Sequence, residues 1–321
     1  MTVPEIHKVA VLKGGSSLER QVSLRSGARV ADALRRRGYE VVEIDVGEHL
    51  VSQLTEAAPD VVFVALHGRG GEDGTVQELL DILGLPFTGC GVLASIRCMD
   101  KVLAKLMMQE AGIPTPRFVT FNETAFRSLG AADTLTTIEE RFGFPLVVKP
   151  ARGGSALGIK FAGSADEMPA ALVSAFSYDD RVLIEQYIDG REIAVSLLDG
   201  EPLPAVEALP NEQHYFDFES RYEIGKTQYV CPAELDRDVE ARVSELAVET
   251  FKLLGCHGFA RVDFMLPKSG EPQVLEVNAI PGLTETSLMP QAADAVGIAF
   301  DELAERLLKT ALTREPYALV G

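Results

Sequence analysis

Short apolar runs and amphipathic segments alternate along the first hundred residues. The runs that predict strands are residues 8–12, 39–46, 61–66 and 85–88. Residues 19–37 and 77–83 have the spacing of amphipathic helices, and Gly38 is a typical residue to end the first of them. Strand–helix–strand order predicts a parallel sheet with helices on both faces. We therefore expect residues 1–98 to form a doubly wound α/β domain.

Two glycine-rich loops follow the first and third of these predicted strands. Residues 14–19 read Gly-Gly-Ser-Ser-Leu-Glu, and residues 67–74 read His-Gly-Arg-Gly-Gly-Glu-Asp-Gly. Ligands bind at the carboxyl ends of the strands in parallel sheets, so the two loops are candidates for one site. The strand–helix order alone would suggest an NAD-dependent oxidoreductase, but the first loop does not match the GxGxxG fingerprint, which weakens that alternative.

Residues 99–190 predict a smaller α+β unit. In chain order, its predicted elements are helices over 100–111 and 136–142, a strand over 145–150, a glycine-rich loop over 152–158, a strand beginning at 159, a helix over 165–177 and a strand over 181–188. The segment 113–116 contains two prolines and is expected to be extended, because each proline disfavours helix in the residue before it.

A candidate phosphate site lies where the strand over 145–150 meets the glycine-rich loop. Lys149 stands directly before that loop, whose backbone N–H groups can approach phosphate oxygens closely. The sequence lacks GxxxxGK[ST], so the site is not a P-loop. Taken alone, a lysine such as Lys149 at the end of a strand is more often a solvated charge, and Lys101 at the start of a helix is equally unremarkable. Residues 185–188 together with Glu192 fit a strand that reads a purine and a ribose, but also an ordinary edge strand.

The last third of the chain, residues 191–321, predicts strands over 192–198 and 203–208, a helix over 238–254, two further strands and two C-terminal helices. Between them, residues 210–229 form a long polar and aromatic segment. A structureless segment of this length inside a compact domain is usually a functional lid or a mis-assigned element, and we expect a lid there.

A predicted hairpin in this part of the chain carries the strongest chemical signal. A turn centred on residues 269–270 pairs Asp263 with Glu276 and Arg261 with Asn278, provided that the loop has an even length. Alternation along the strands then brings three oxygen ligands to one face, beside an arginine. Such ligands suit Mg²⁺ bound to nucleotide phosphates. A solvated hairpin with a charged outer face is the alternative.

Composition excludes several classes of protein. The net charge of −18 argues against nucleic acid, and the apolar runs are too short to span a membrane. Glu5 and His7 stand where a signal peptide needs apolar residues, so we expect a cytoplasmic protein. Neither the four cysteines nor the five scattered histidines have zinc-ligand spacing, and the thiols are expected to be buried and reduced.

Together these segments resemble the D-alanine–D-alanine ligases of the ATP-grasp superfamily, over essentially the whole chain. The matching segments are residues 66–74 (Leu-His-Gly-Arg-Gly-Gly-Glu-Asp-Gly), Met99-Asp100-Lys101, Val148-Lys149-Pro150, residues 258–263, Leu275-Glu276-Val277-Asn278 and Pro281-Gly282. The first and the last two of these are specific in combination, whereas Val-Lys-Pro alone is not.

The resemblance implies a three-domain enzyme that joins two D-alanine molecules through an acyl phosphate, for peptidoglycan precursors. The implied domains are 1–98, 99–190 and 191–321, with ATP held between the last two, which form the ATP-grasp unit. The implied ATP-binding residues are Lys101, Lys149, Ser155, Glu185, Ile188, Glu192 and Arg221. Two Mg²⁺ ions, or Mn²⁺ in their place, would bind Asp263, Glu276 and Asn278. A homodimer is implied as well.

The resemblance also implies how the first D-alanine is bound. Glu19 would pair with its ammonium group, Ser155 and Tyr222 would orient Glu19, and His67 would lie near the substrate. His67 is also a candidate general base, although substrate or solvent remains an alternative.

For the second D-alanine, the resemblance implies that Ser287 and the Leu288 N–H bind the carboxylate. Arg261 and the Gly282 N–H would stabilise the oxyanion formed when the amine attacks.

Two positions depart from the family pattern. Arg221 stands where the family usually has lysine, and arginine presents its charge with a different geometry. Ala156 stands where many members have a serine. The remaining alternatives are an ATP-grasp ligase that uses D-lactate, D-serine or a different amine, and a non-catalytic nucleotide-binding module. Tyr222 favours an amine as the second substrate.

Overall fold

The computed structural model describes residues 6–130, 134–210, 227–268 and 270–314. The strands are β1 (Lys8–Lys13), β2 (Glu40–Asp45), β3 (Val61–Val64), β4 (Phe118–Asn122), β5 (Leu146–Pro150), β6 (Lys160–Ala162), β7 (Arg181–Gln186), β8 (Gly190–Leu198), β9 (Glu201–Pro202), β10 (Val206–Pro210), β11 (Thr227–Val230), β12 (Phe259–Pro267) and β13 (Gln273–Asn278). The helices are α1 (Arg20–Arg36), α2 (Leu50–Ala57), α3 (Thr75–Ile82), α4 (Val92–Met99), α5 (Lys101–Ala111), α6 (Glu123–Ser128), α7 (Leu135–Phe142), α8 (Met168–Phe176), α9 (Arg237–Leu254), α10 (Leu288–Ala295) and α11 (Phe300–Thr310).

The N-terminal sheet is parallel, in the order β2-β1-β3. Successive residues of β1 face opposite sides: Val9 packs in a core with α1, and Ala10 in a core with α2 and α3. The predicted doubly wound arrangement is therefore confirmed. The predicted strand over 85–88 is wrong, since only a bridge joins Phe87 to Val62. Pro86 has no N–H to donate, and Gly89, with φ at 82°, turns the chain away.

Helices from the end of the chain complete the core on one face of this sheet. Leu303 and Leu307 of α11 and Met289 of α10 share a single apolar core with Val9 and Phe63. Ion pairs at its edge join α1 to α11, among them Arg36 with Asp301 at 2.6 Å. The first and last parts of the sequence thus fold as one packed unit.

Leu307→Ala is expected to lower the free energy of unfolding by about 2–5 kcal/mol, because the side chain is fully buried in this shared core. Leu129→Ala is the matched control: Leu129 is 77% exposed, and its loss should change stability by less than about 0.5 kcal/mol. Urea denaturation of both variants measures the difference. Equal effects would show that α11 does not stabilise the N-terminal sheet.

The other two sheets in the described residues are antiparallel at every pairing. The smaller has the order β4-β7-β5-β6 and packs against α7 and α8. The larger has the order β11-β10-β8-β12-β13, with β9 beside β8. Helices α4, α5 and α9 cover one of its faces. Among the described residues, no helix is both long and apolar enough to cross a membrane.

Several elements were not predicted. Helices α2, α4 and α6 and strand β4 have no clear signal in the pattern of apolar and polar residues. In α4, Leu93 is 54% exposed while Ala94 and Cys98 are buried, so its pattern shows no polar face. The expected boundary between residues 98 and 99 falls at the end of this helix, whose buried side packs in the core of the larger sheet.

Candidate active site

The β12–β13 hairpin has the predicted register at its functional end. Arg261 pairs with Asn278 and Asp263 with Glu276. A bulge follows directly, because Phe264 pairs with Val274. The strand pairing therefore shifts by one residue only between these polar pairs and the turn, so the predicted pairs themselves are kept.

Asp263 lies at the centre of this polar face and is 2% exposed. Arg261 donates from Nε and Nη2 to its two carboxylate oxygens, at 2.7 and 2.8 Å. Asn278 Nδ2 donates to Asp263 Oδ2 at 3.0 Å. Asp263, Asn278 and the neighbouring Glu276 thus bring two carboxylates and an amide together.

A pocket opens between this face and the glycine-rich loop. Lys101, at the start of α5, pairs with Glu276 at 3.1 Å and donates to the carbonyl oxygen of Gly153 at 2.5 Å. Asp100 caps α5 by accepting from the Leu103 N–H at 3.0 Å. The cap fixes the helix start, so Lys101 is held at the pocket wall.

Two buried lysines bracket a buried carboxylate beside the pocket. Glu185 on β7 pairs with Lys149 of β5 and, at 2.7 Å, with Lys105 of α5. Burial alone raises the pKa of Glu185, but the two ammonium groups hold it below its usual value. Burial lowers the pKa of Lys105 to about 8, although Glu185 opposes this. Lys105 also donates to Thr115, which in turn donates to the Val274 carbonyl at 2.8 Å.

The two N-terminal loops meet at one end of the parallel sheet, as expected. Ser17 Oγ donates to the His67 carbonyl at 2.6 Å and accepts from the Glu19 N–H at 3.2 Å. Glu19 precedes α1 and is 6% exposed. A Cβ at Gly68 would lie 2.5 Å from Glu19 Oε2, so only glycine leaves room for the carboxylate.

The Glu19 carboxylate reaches the glycine-rich loop of the central part of the chain. Ser155 Oγ donates a hydrogen bond to Glu19 Oε1, across 136 residues of sequence. Ser155 and Ala156 both have positive φ, at 53° and 57°, a backbone conformation that aims Ser155 at Glu19. Burial, and then the nearby Glu72 carboxylate, raise the pKa of Glu19 above its usual value.

His67 forms part of a polar chain that ends at the loop before α10. Its Nδ1 lies 3.7 Å from Glu72, and its Nε2 lies 3.1 Å from Ser26 Oγ. Ser26 Oγ accepts a hydrogen bond from the Leu283 N–H at 3.2 Å. His67 is therefore linked through Ser26 to the residue next to Gly282.

Ser287 is the N-cap of α10, and Leu288 is its first residue. Ser287 Oγ lies within the same loop, where it accepts from the Thr284 N–H at 3.0 Å. A Cβ at Gly282 would approach Ser287 Oγ to 2.7 Å, so this position requires glycine. The loop presents backbone N–H groups at a helix N-terminus, where a carboxylate is favoured.

Four predicted residues remain. Ile188 follows β7 and is half-buried, and Glu192 lies in β8, paired with Ala208 on one side and Met265 on the other. Arg221 and Tyr222, and residues 211–226 of the expected lid as a whole, lie outside the described residues.

Sequence reasoning did not assign roles to Lys105, Glu72, Ser26 or Arg29. Arg29 of α1 donates to the carbonyls of Leu283 and Thr284 at 3.0 and 2.7 Å, and so holds the loop before α10. Lys105, Ser26 and Arg29 make contacts that are distant in sequence, whereas Glu72 contacts Gly68 and His67 within its own loop. The one available signal was the position of Lys105 four residues after Lys101, on the same face of a helix.

Comparison with known proteins connects this geometry to a family. The family model described as D-ala D-ala ligase C-terminus matches residues 107–309, and the one described as D-ala D-ala ligase N-terminus matches residues 49–90. A D-alanine–D-alanine ligase of Syntrophotalea carbinolica is 48% identical over 96% of this chain and 97% of its own length.

Solved structures agree. The D-alanine–D-alanine ligase of Bacillus anthracis complexed with ATP has a TM-score of 0.81 and 36% identity, covering 96% of this chain and 98% of that chain. The VanG D-Ala:D-Ser ligase of Enterococcus faecalis has a TM-score of 0.81 and 30% identity, covering 96% and 100%. These likenesses confirm the ATP-grasp fold inferred from the resemblance. By its sequence, its fold and its relatives, this chain belongs to the D-alanine–D-alanine ligase family.

Proposed function

We propose that the chain is an ATP-dependent ligase that joins two D-alanine molecules to D-alanyl-D-alanine through a D-alanyl phosphate, for peptidoglycan precursor synthesis. The contact of Ser155 with Glu19 carries the proposal. It joins a loop suited to phosphates to a buried carboxylate suited to an ammonium group. An amino acid bound at Glu19 would thus lie beside the phosphates, as transfer of a phosphoryl group to its carboxylate requires.

ATP would occupy the pocket between the glycine-rich loop and the β12–β13 hairpin. Lys101 and Lys149 would neutralise its phosphates, assisted by the loop at Ser155 and by Arg221. Glu185 and Ile188 would lie near the adenine. Glu192 would bind the ribose hydroxyls.

The donor set of the hairpin fits Mg²⁺. Asp263 and Glu276 supply carboxylates and Asn278 an amide oxygen, with the paired register that keeps them on one face. No group of three or more His, Cys, Asp or Glu side chains in the described residues is placed to hold a metal by itself. Mg²⁺ typically takes one or two carboxylates and completes its shell with phosphate oxygens, so phosphates would supply the rest. Two bound ions, Mg²⁺ or Mn²⁺, would offset charge on the transferring phosphoryl group.

The first step would be attack of a D-alanine carboxylate on the γ-phosphate. Glu19 would fix the substrate by pairing with its ammonium group, and Ser155 and Tyr222 would fix Glu19. His67 would lie beside the bound D-alanine, held by Ser26. Positioning of this kind supplies much of the rate in phosphoryl transfer.

The second step would be attack of the second D-alanine amine on the acyl phosphate. The N-terminus of α10, with Ser287 and the Leu288 N–H, would bind its carboxylate. Arg261 and the Gly282 N–H would stabilise the oxyanion. His67 is a candidate to accept the amine proton, with substrate or solvent as the alternative acceptor.

We further propose a homodimer in the cytoplasm, with functional domains 1–98, 99–190 and 191–321. Exposed apolar side chains support the homodimer: Ile82, Leu93 and Ile96 are 72%, 54% and 39% exposed on the neighbouring helices α3 and α4. Analytical ultracentrifugation of the wild type and of Leu93→Asp measures the oligomeric state directly.

Phosphate release tests the substrate assignment. The enzyme would be given Mg²⁺–ATP with D-alanine, with L-alanine, or with D-alanine plus D-lactate or D-serine, and products would be identified by mass. We expect release that depends on D-alanine and matches formation of the dipeptide. Release only with another carboxylate or nucleophile would overturn the substrates while keeping ATP-dependent ligation.

Lys105→Met is expected to raise the Kd for ATP at least about tenfold, or about 1.4 kcal/mol. In the variant, Lys149 is the one remaining ion-pair partner of Glu185 among the described residues, so its charge would be less available to the phosphates. In the wild type, Lys105 loses its charge as the pH rises through about 8, so the affinity for ATP should fall above that pH. In the variant this pH dependence should vanish. Calorimetric titration measures both, and Lys252→Met, an exposed lysine on α9, is the control. An unchanged alkaline limb in Lys105→Met would exclude this role.

A further inference from the structure

Three cysteine thiols lie together behind the nucleotide pocket. Cys90 precedes α4, Cys98 lies in its last turn, and Cys256 follows Gly255, the residue that ends α9. All three are free, and Cys98 Sγ lies 3.5 Å from Cys256 Sγ. They pack in or against the apolar core under the larger sheet. No step of the ligation uses them.

The sulfur atoms of Cys98 and Cys256 lie close together. A disulfide bond is about 2.05 Å long, so the two sulfur atoms, now 3.5 Å apart, need to approach by about 1.5 Å. Both residues lie at helix ends rather than in helix centres. Gly255 has a φ of 75°, so the chain at Cys256 has already left the helix and can adjust locally.

Cys98 borders the nucleotide pocket. The residue is among those that line the pocket, together with Lys101, Gly153, Glu276 and Asn278. A small oxidant that enters this pocket therefore comes close to Cys98. A nucleotide bound at the same residues would cover it.

We propose that Cys98 and Cys256 are a redox modification site, at which a hydroperoxide converts the two thiols to a disulfide that weakens nucleotide binding. One thiol gives up its proton and its sulfur attacks a peroxide oxygen; the O–O bond breaks, a sulfenic acid forms, and the departing hydroxide takes up the proton as water. The other thiol attacks the sulfenic sulfur, which forms the S–S bond and releases water. Two thiols thus give up two electrons and two protons, and hydrogen peroxide becomes two molecules of water. A dithiol reductant reverses the change.

Disulfide formation would act on the nucleotide site through the α4–α5 junction. Cys98 stands two residues before Asp100, which caps α5 and pairs with Arg181. Lys101 comes next and holds Glu276. Drawing Cys98 toward Cys256 shifts this junction, and with it the position of Lys101 at the pocket wall. We expect the Kd for ATP to rise at least tenfold. This consequence rests on the proposed function, whereas formation of the disulfide does not.

Peptide mapping of the full-length wild-type protein tests the site. The protein would be treated with hydrogen peroxide, its remaining thiols alkylated, and its digest analysed by mass spectrometry. We expect a peptide pair that links Cys98 to Cys256, loss of two thiols per chain, recovery with dithiothreitol and slower oxidation in saturating ATP. Calorimetry of reduced and oxidised protein would then compare the Kd for ATP.

Single substitutions assign the pair. Cys98→Ala and Cys256→Ala should each abolish the cross-link, whereas Cys231→Ala, which removes a thiol outside the cluster, should keep it. A disulfide that includes Cys90, retention of both thiols in peroxide, or an oxidised chain that binds ATP with unchanged Kd would overturn the proposal. Absence of ligase activity in the reduced chain would count against the proposed function alone, because the thiol count does not depend on turnover.

Discussion

Glu276→Gln is expected to lower kcat/KM for Mg²⁺–ATP at least about 100-fold, with the chain still folded. Loss of a group that merely orients a metal ligand typically costs about 10- to 100-fold, and Glu276 would be a ligand itself. Glutamine keeps the volume and one acceptor oxygen but removes the charge that also faces Lys101. The variant should therefore need a higher Mg²⁺ concentration for half-maximal activity.

Glu271→Gln provides the matched control. Glu271 lies just before the same strand but is exposed and pairs with Arg242. Its kinetics and Mg²⁺ dependence should equal those of the wild type. If Glu276→Gln retained the wild-type Mg²⁺ dependence, Glu276 would be excluded from the metal site, and the ligand set would have to be drawn from other side chains.

Glu19→Gln is expected to lower kcat/KM for D-alanine by about 30- to 5,000-fold, which corresponds to about 2–5 kcal/mol for removing one partner of a buried charge pair. The substitution is isosteric, and Ser155 can still donate to the amide oxygen. The Kd for ATP should stay within about twofold, since Glu19 is proposed to pair with the amino acid and not with the nucleotide. Glu40→Gln, an exposed site on β2, is the control.

The pH profile separates the role of Glu19 from a structural one. The carboxylate must be charged to pair with an ammonium group, and its pKa is raised by burial and by Glu72. Activity should therefore fall, as the pH is lowered, at a higher pH than an ordinary glutamate would give. Glu72→Gln removes one cause and should move this acidic limb to lower pH. If the acidic fall in activity stayed at the same pH in Glu72→Gln, Glu19 would be excluded as the group that causes it.

The hairpin site could be predicted because its determinants are local. Alternation along two strands and a turn of known centre place Asp263 opposite Glu276, and the bulge comes after the polar pairs. The carboxyl-end rule for parallel strands likewise predicted that the loops at Glu19 and His67 meet. Both predictions depend on geometry within one hairpin or one sheet.

Contacts between distant parts of the chain could not be predicted in this way. No periodicity links Ser155 to Glu19 across 136 residues, and only the family resemblance suggested the pair. The burial of Lys105 against Glu185 depends on how α5 packs on β7, which its helical pattern does not contain. The cover that α11 provides for β1 also joins opposite ends of the sequence.

Transfer of ¹⁸O tests the acyl phosphate most directly. The enzyme would be given Mg²⁺–ATP and D-alanine labelled with ¹⁸O in both carboxylate oxygens, and the released phosphate would be analysed by mass spectrometry. Attack of the carboxylate on the γ-phosphate predicts one ¹⁸O atom in phosphate for each dipeptide formed. Unlabelled phosphate formed together with dipeptide would contradict activation of the carboxylate as an acyl phosphate.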